Sequence, residues 1–302
     1  MSNGGVANFA LHNPHDYTST TTPKMFAPVY ANGDGQKAGD SAAMGALAFW
    51  TYGDTTTGGD SAQENGDMSA THAEVGALWG VTYDSKNDNL YSSAVLRRHV
   101  GVGPLGLGGI YRLENASSAT PTVVPWLDVN TLAGIDVGTD TRDASQANSL
   151  PANIADPSWD VDAYREVGRR GIGGIDLSED NSILYLVNLK NKELIAIDTA
   201  TKTLHAGFPV AIPEPVLGCS NGEYRPWGLE VHDGSIFVGV VCSGENGGDE
   251  DDLSAHVLKL NGTSFSSTPV LDIDLNYARG NIAWGNQGEW NPWTVDDLGV
   301  FI

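Results

Sequence analysis

The side chains able to do chemistry are few and poorly matched to known catalytic spacings. His12, His15, His72, His99, His205, His232 and His256 never form the His-Glu-x-x-His pattern that sets two imidazoles and a base around zinc. Gly218-Cys219-Ser220-Asn221-Gly222 satisfies Gly-x-Ser-x-Gly, yet a nucleophile elbow needs a strand before the serine and a helix after it. Pro213 and Pro215 upstream and Pro226 downstream oppose both, so the match reads as chance. A phosphate-cradling Gly-x-x-x-x-Gly-Lys-Ser is absent. The acidic run Asp249, Glu250, Asp251 and Asp252 offers hard oxygens to calcium, and Asp136, Asp140 and Asp143 crowd a second stretch. Neither has the alternating Asp-x-Asp-x-Asp-Gly spacing of a dedicated loop, so calcium is the single cofactor suggested and a solvated acidic loop is the competing reading.

Charge restricts the partners. The chain carries a formal charge of -22, which repels phosphate backbones and anionic membrane surfaces at long range. Nucleic acid is therefore excluded as an expected partner. No apolar run approaches the ~20 residues of a membrane span, which opposes membrane insertion. The first 25 residues lack the basic start and apolar stretch of a signal peptide, so the chain reads as mature or trimmed. Against this acidity, arginines outside regular strands stand out: Arg97, Arg98, Arg142, Arg165, Arg169, Arg170 and Arg225. Guanidinium groups grip carboxylates bidentately, so arginines gathered on one face make a site for an acidic glycan or a peptide carboxylate. Loop-tying ion pairs are the simpler alternative.

The elements that must position these residues form a repeat. Gly80 to Asp84 with Leu90-Tyr91, Gly174 to Ser178 with Leu184-Tyr185, and Gly228 to His232 with Ile236-Phe237 share one grammar: an alternating strand, a turn rich in Asp, Asn, Ser or Gly, and a returning strand. Third strands follow at Gly109 to Leu113, Leu194 to Asp198 and His256 to Leu260. Outer strands fit Thr122 to Val129, Leu204 to Val210 and Pro269 to Leu275. Four antiparallel strands in tandem copies predict an all-β chain, a β-propeller of four-stranded blades, with a β-sandwich as the alternative.

The blades fall at about 76–129, 168–210 and 225–275, with an irregular insertion at about 130–167, all within one domain spanning 1–302. Further strands fit Met25 to Tyr30, Ala46 to Trp50 and Ile282-Ala283-Trp284, giving either a five-blade ring with degenerate ends or part of a larger ring. The insertion holds the one helical pattern, Asp156 to Val167, with Asp156 as cap and Pro157 at the first position.

Strand direction then assigns faces. Loops before each first strand, and those joining second to third strands, open on one face of a propeller. This face gathers the candidate ligand-binding residues Arg97, Arg98, His99, Arg169, Arg170, Tyr224, Arg225 and Trp227, together with the acidic run. Cys219 precedes one first strand and Cys242 ends the strand returning from it, so both lie near the same face and a disulfide is expected. Such a bond implies an oxidising compartment and an extracellular or cell-surface location.

Four stretches carry a family likeness: Ala77 to Gly80 with Arg97 to Gly106; Gly171 to Asp176 with Leu184 to Leu189; Gly218-Cys219 with Tyr224 to Gly228 and Gly239 to Cys242; and Tyr277 to Gly280 with Trp290 to Trp293. Over residues 70 to 293 the chain resembles a propeller-like region of large bacterial cell-surface proteins that commonly also carry SdrD B-like or Cna B-type repeats. The resemblance implies a secreted or surface-anchored module for adhesion or matrix assembly and transfers no activity. The favoured reading is a non-catalytic module binding a glycan, matrix component or surface protein. One alternative is a calcium-dependent propeller hydrolase or lactonase using Asn188, Glu223 and Asp176 in a central channel. Another is a filament or matrix subunit that self-associates through exposed strand edges.

Overall fold

The computed structural model describes residues 23–51, 67–281 and 287–294. Each sequence repeat folds into one antiparallel sheet. A three-stranded sheet comes first, in the order β1 (Lys24–Pro28), β2 (Gly45–Thr51), β3 (Asp67–Thr71). Blade A follows with β4 (Leu78–Asp84), β5 (Asn89–Ala94), β6 (Gly109–Glu114) and β7 (Thr122–Asp128), each paired to the next. Blade B contains β8 (Ile172–Leu177), β9 (Ile183–Asn188) and β10 (Glu193–Asp198), and blade C contains β13 (Tyr224–His232), β14 (Ser235–Cys242) and β15 (Ser254–Asn261).

In blades B and C the expected outer strand is broken in two. The ends of β10 pair separately with β11 (Thr203–Leu204) and β12 (Val210–Ala211). In the same way β15 pairs with β16 (Ser264–Phe265) and β17 (Leu271–Asp274). A last hairpin joins β18 (Gly280–Asn281) to β19 (Gln287–Gly288), while the expected strand at Ile282 to Trp284 lies outside the described residues.

Local chemistry explains the hairpins. His232 pairs with Ser235 across Asp233-Gly234, both with positive φ of 48° and 67°, the conformation that a tight two-residue turn between twisted strands requires. Along β14, Ile236, Val238, Val240 and Cys242 are buried and alternate with less buried neighbours, which is the period of a sheet with one face in the core. That face packs on blade B, where Val187, Leu189 and Leu194 meet Ile236, Val238, Val240 and Leu258. Tyr91, Ile110 and Trp126 of blade A likewise meet Ile175, Leu186 and Ile195 of blade B. Leu47 and Ala70 of the first sheet meet Leu78, Leu90 and Tyr111 of blade A. Each fully buried Leu or Ile in these interfaces contributes roughly 1.5–3 kcal/mol of apolar transfer.

The first strands of the blades lie side by side at the centre. A Cβ on Gly174 would stand 2.8 Å from the Leu229 amide nitrogen, so only glycine permits β8 and β13 to approach so closely. Asp176 ties the three blades together: its Oδ1 accepts from the Thr82 hydroxyl at 2.9 Å and its Oδ2 from the Val231 N–H at 2.8 Å.

The helix in the insertion is shorter than its sequence pattern. It spans Val161–Glu166, with Asp160 before it in the left-handed conformation at φ 53°, and neither Asp156 nor Pro157 takes part.

Candidate functional site

Five segments meet at one end of the blades: the loop after β5 (95–100), the turn before β8 (167–170), the start of β13, the loop after β14 (243–253) and residues 290–293. Between them lie two cavities of about 280 and about 470 Å3 that share Val167, Trp227 and Trp293.

The smaller cavity is organised by Glu245. Its carboxylate accepts from Arg225 Nε at 3.1 Å, from Arg225 Nη2 at 2.5 Å, from Arg169 Nη2 at 3.0 Å and from the Ser243 hydroxyl at 2.8 Å. Two guanidinium groups thus share one carboxylate whose side chain is only 7 % exposed. Burial opposes ionisation of Glu245, but the bonds from Arg225 and Ser243 and the charges of Arg225 and Arg169 outweigh it and hold the carboxyl below its ordinary value.

A depressed carboxyl stabilises the fold fully above its unfolded value of about 4.5, and the contribution is lost as pH falls through the folded value. Glu245→Gln is therefore expected to flatten the acid limb of stability against pH. Superimposable acid limbs in denaturant titrations of the two proteins would contradict this.

Tryptophans wall the same space. Trp227 meets Trp79 edge to face at 5.4 Å, Trp293 stacks on Tyr164 at 6.1 Å, and Arg279 lies 4.5 Å over Trp290. The Trp293 N–H donates to the Ser243 carbonyl at 2.9 Å, which fixes the 290–293 segment against the loop that carries Glu245. The indole N–H groups of Trp227, Trp290 and Trp293 are shielded from water and find no acceptor among the described residues.

In the larger cavity, the Arg97 guanidinium lies 3.8 Å over the ring of Tyr30. Arg98 donates twice to the Trp159 carbonyl, at 3.1 and 3.0 Å. Neither arginine forms a salt bridge among the described residues. The His99 ring nitrogen Nδ1 lies 2.8 Å from the Ser158 hydroxyl, and burial followed by the charge of Arg98 lowers its pKa, so the imidazole is neutral near pH 7. The loop bearing these residues is held by Arg142, which donates to the Arg97 carbonyl at 2.6 Å while clamping Asp160.

Arg97, Arg98, His99, Arg169, Arg225 and Trp227 therefore line one cleft. Arg170 turns away to Glu166 at 2.6 Å, and Tyr224 lies under the Lys192 ammonium at 3.9 Å, so these two sequence candidates are not in its walls. Glu245, Tyr30 and Tyr164 line the cleft without having been singled out from the sequence. The signal for Glu245 was its place two residues beyond Ser243, in a loop already flanked by candidates.

The acidic run forms a turn of its own at Glu250–Asp252. Asp249 accepts from the Asp251 N–H at 3.0 Å, Asp252 from the Asp249 N–H at 3.0 Å and from the Asn221 amide at 3.1 Å, and Asp251 from the Asn276 amide at 3.3 Å. Among the described residues no three His, Cys, Asp or Glu side chains group in the manner of a metal site.

The three residues considered for a catalytic channel are bound apart from one another. Asp176 bridges blades, Glu223 pairs with Lys192 at 2.7 Å, and Asn188 accepts from the Lys190 N–H at 3.1 Å. Ser254, His256 and Asp272 also meet, at 2.8 and 2.9 Å. The His256 Nδ1, however, faces Asp272 off the hydrogen-bonding direction, and the imidazole is 1 % exposed, so the group acts as polar packing between β15 and β17.

Cys219 and Cys242 are joined, with Cα atoms 5.1 Å apart, and Cys242 forms part of the cleft wall. The chain is similar to the colossins of Dictyostelium discoideum. Identity is 29 % over 251 residues with colossin-C, covering 78 % of this chain and 23 % of that protein. It is 26 % over 239 residues with colossin-D, covering 74 % and 22 %, and 24 % over 309 residues with colossin-A, covering 97 % and 2 %. The chain thus spans less than a quarter of the length of these relatives, and they are eukaryotic, whereas the resemblance drawn from the sequence was to bacterial cell-surface proteins.

No family model matches. Among solved structures, a hypothetical selenium-binding protein from Sulfolobus tokodaii is 11 % identical with a TM-score of 0.40, covering 81 % of this chain and 47 % of its own. A luciferin-regenerating enzyme is 12 % identical with a TM-score of 0.38, covering 74 % and 54 %. The blade assignment rests on the sheets of this chain.

Proposed function

We propose that this chain is a non-catalytic, extracellular or surface-displayed binding module whose cleft holds a carboxylate-bearing ligand on a glycan, matrix component or surface protein. One observation carries the reading: among the described residues, Arg97, Arg98, Arg169 and Arg225 line the cleft against the single carboxylate of Glu245, in a chain of net charge -22. Arg169 and Arg225 share that carboxylate, and Arg97 and Arg98 have none within salt-bridge distance among the described residues. Local excess of positive charge beside aromatic walls favours charge-assisted bonds to an anion. The disulfide supports an oxidising compartment.

Arg97→Ala is the clean test, because its guanidinium packs on Tyr30 and its loss orphans no carboxylate. Calorimetric titration with acidic and neutral polysaccharides is expected to show binding of the acidic ones, weakening with salt. The variant is expected to bind roughly 10- to 100-fold less tightly, the equivalent of one charged hydrogen-bonding pair. Equal binding of neutral and acidic ligands, or an unaltered affinity in Arg97→Ala, would reject the cleft as an anion site.

A further inference from the structure

We infer that the cleft is built for a linear oligosaccharide with carboxylates on neighbouring units, a polyuronate chain, held in two adjoining subsites; this rests on the anion-binding reading above. The cavities of about 280 and about 470 Å3 share Val167, Trp227 and Trp293 in their walls, so they lie side by side. Each half has its own arginine pair, Arg169 with Arg225 in one and Arg97 with Arg98 in the other. Arg169 and Arg225 share the one carboxylate of Glu245, so that half keeps one positive charge in excess, while Arg97 and Arg98 form no salt bridge among the described residues. Two carboxylates on a continuous chain satisfy both.

The walls favour sugar rings over the side chains of an acidic peptide. Trp79 is 46 % exposed and stands edge to face with Trp227, and Tyr164 is stacked with Trp293, so rigid aromatic faces border both halves. Pyranose rings present flat C–H faces to such surfaces, whereas aspartate and glutamate side chains bring short flexible stems.

The test is titration of the protein with galacturonic acid, its dimer and its tetramer, with neutral galactose oligomers and a polyaspartate peptide alongside. The dimer is expected to bind about tenfold or more tightly than the monomer, as a second subsite contributing a modest free energy would give. Trp79→Ala and Arg97→Ala, each changing the larger cavity, are expected to bring the dimer close to monomer affinity. Arg97→Ala serves if Trp79→Ala fails to fold. Equal affinity for monomer and dimer would overturn the two subsites while leaving the anion cleft standing. Binding of polyaspartate without any uronate would overturn the sugar assignment alone. Absence of binding by every anion would overturn both this inference and the function on which it rests.

Discussion

Replacement of Asp160 by alanine is expected to lower the unfolding free energy by about 3–5 kcal/mol, the cost of leaving a buried charge without its partner. Asp160 is fully buried, and Arg142 is 7 % exposed. The carboxylate accepts from Arg142 Nε at 2.6 Å and Nη2 at 2.8 Å in a two-pronged clamp, and again from the His99 N–H at 2.6 Å. Removing it leaves the guanidinium with Asp140 at 3.0 Å and the His99 N–H without its acceptor. Backbone conformation adds to the loss, since Asp160 holds a φ of 53° that alanine adopts less readily than aspartate.

Asp160→Asn separates these causes: it keeps a side chain that tolerates the conformation while removing the charge, and should fall between wild type and alanine. Replacing both partners, with Arg142→Met added to Asp160→Asn, should cost less than the sum of the single changes, because the pair was desolvated together. Guanidinium denaturation of wild type, Asp160→Ala, Asp160→Asn, Arg142→Met and the double variant reads all of this. A loss below 1 kcal/mol for Asp160→Ala would show that water reaches the pair. Because Arg142 also holds the Arg97 carbonyl, the alanine variant should bind anions more weakly even where it remains folded.

The same aspartate shows where the sequence stops being informative. Capping chemistry around Asp156 and Pro157 favours a helix start there, and the periodicity to Val167 supports it. Asp160 instead answers to Arg142, eighteen residues upstream, and to the loop at His99, and the helix begins only after it. Local preference lost to a distant charge.

Blade strands were legible because one buried face enforces alternation and because Asp233-Gly234 has few other uses between two apolar runs. The outer strands of blades B and C were less so: two short pairings at opposite ends of β10 and β15 leave no alternating run to read. In the cleft, Arg97, Arg98 and Arg169 were visible as charges outside strands, whereas Arg225, expected outside a strand, is paired within β13. Tyr30 was not visible, since it joins Arg97 only through packing of the first sheet on blade A. Composition drew attention to the acidic run as a cation site, but aspartates in loops commonly accept from nearby N–H groups, as Asp249 and Asp252 do here.

Loss of the disulfide is expected to cost about 3 kcal/mol while leaving the cleft able to bind. Cys219 and Cys242 are separated by 23 residues, and closing a loop of that size restricts the unfolded chain by roughly this amount. The folded contacts nearby do not depend on the bond. The Ser243 N–H donates to the Glu223 carbonyl at 3.1 Å, the Asn246 N–H to the Asn221 carbonyl at 2.8 Å, and the Glu223 N–H to the Ser243 hydroxyl at 3.1 Å. These bonds hold the segment before β13 against the loop that presents Glu245. A variant with Cys219→Ser and Cys242→Ser should therefore unfold at lower denaturant, and its affinity for an acidic ligand should match wild type under native conditions. Collapse of binding at full folding would mean that the bond shapes the cleft directly, and an unshifted midpoint would mean that it restrains nothing. A thiol count on unreduced, unfolded protein from its natural source tests the compartment: none is expected, and two would remove the disulfide's support for an exterior location.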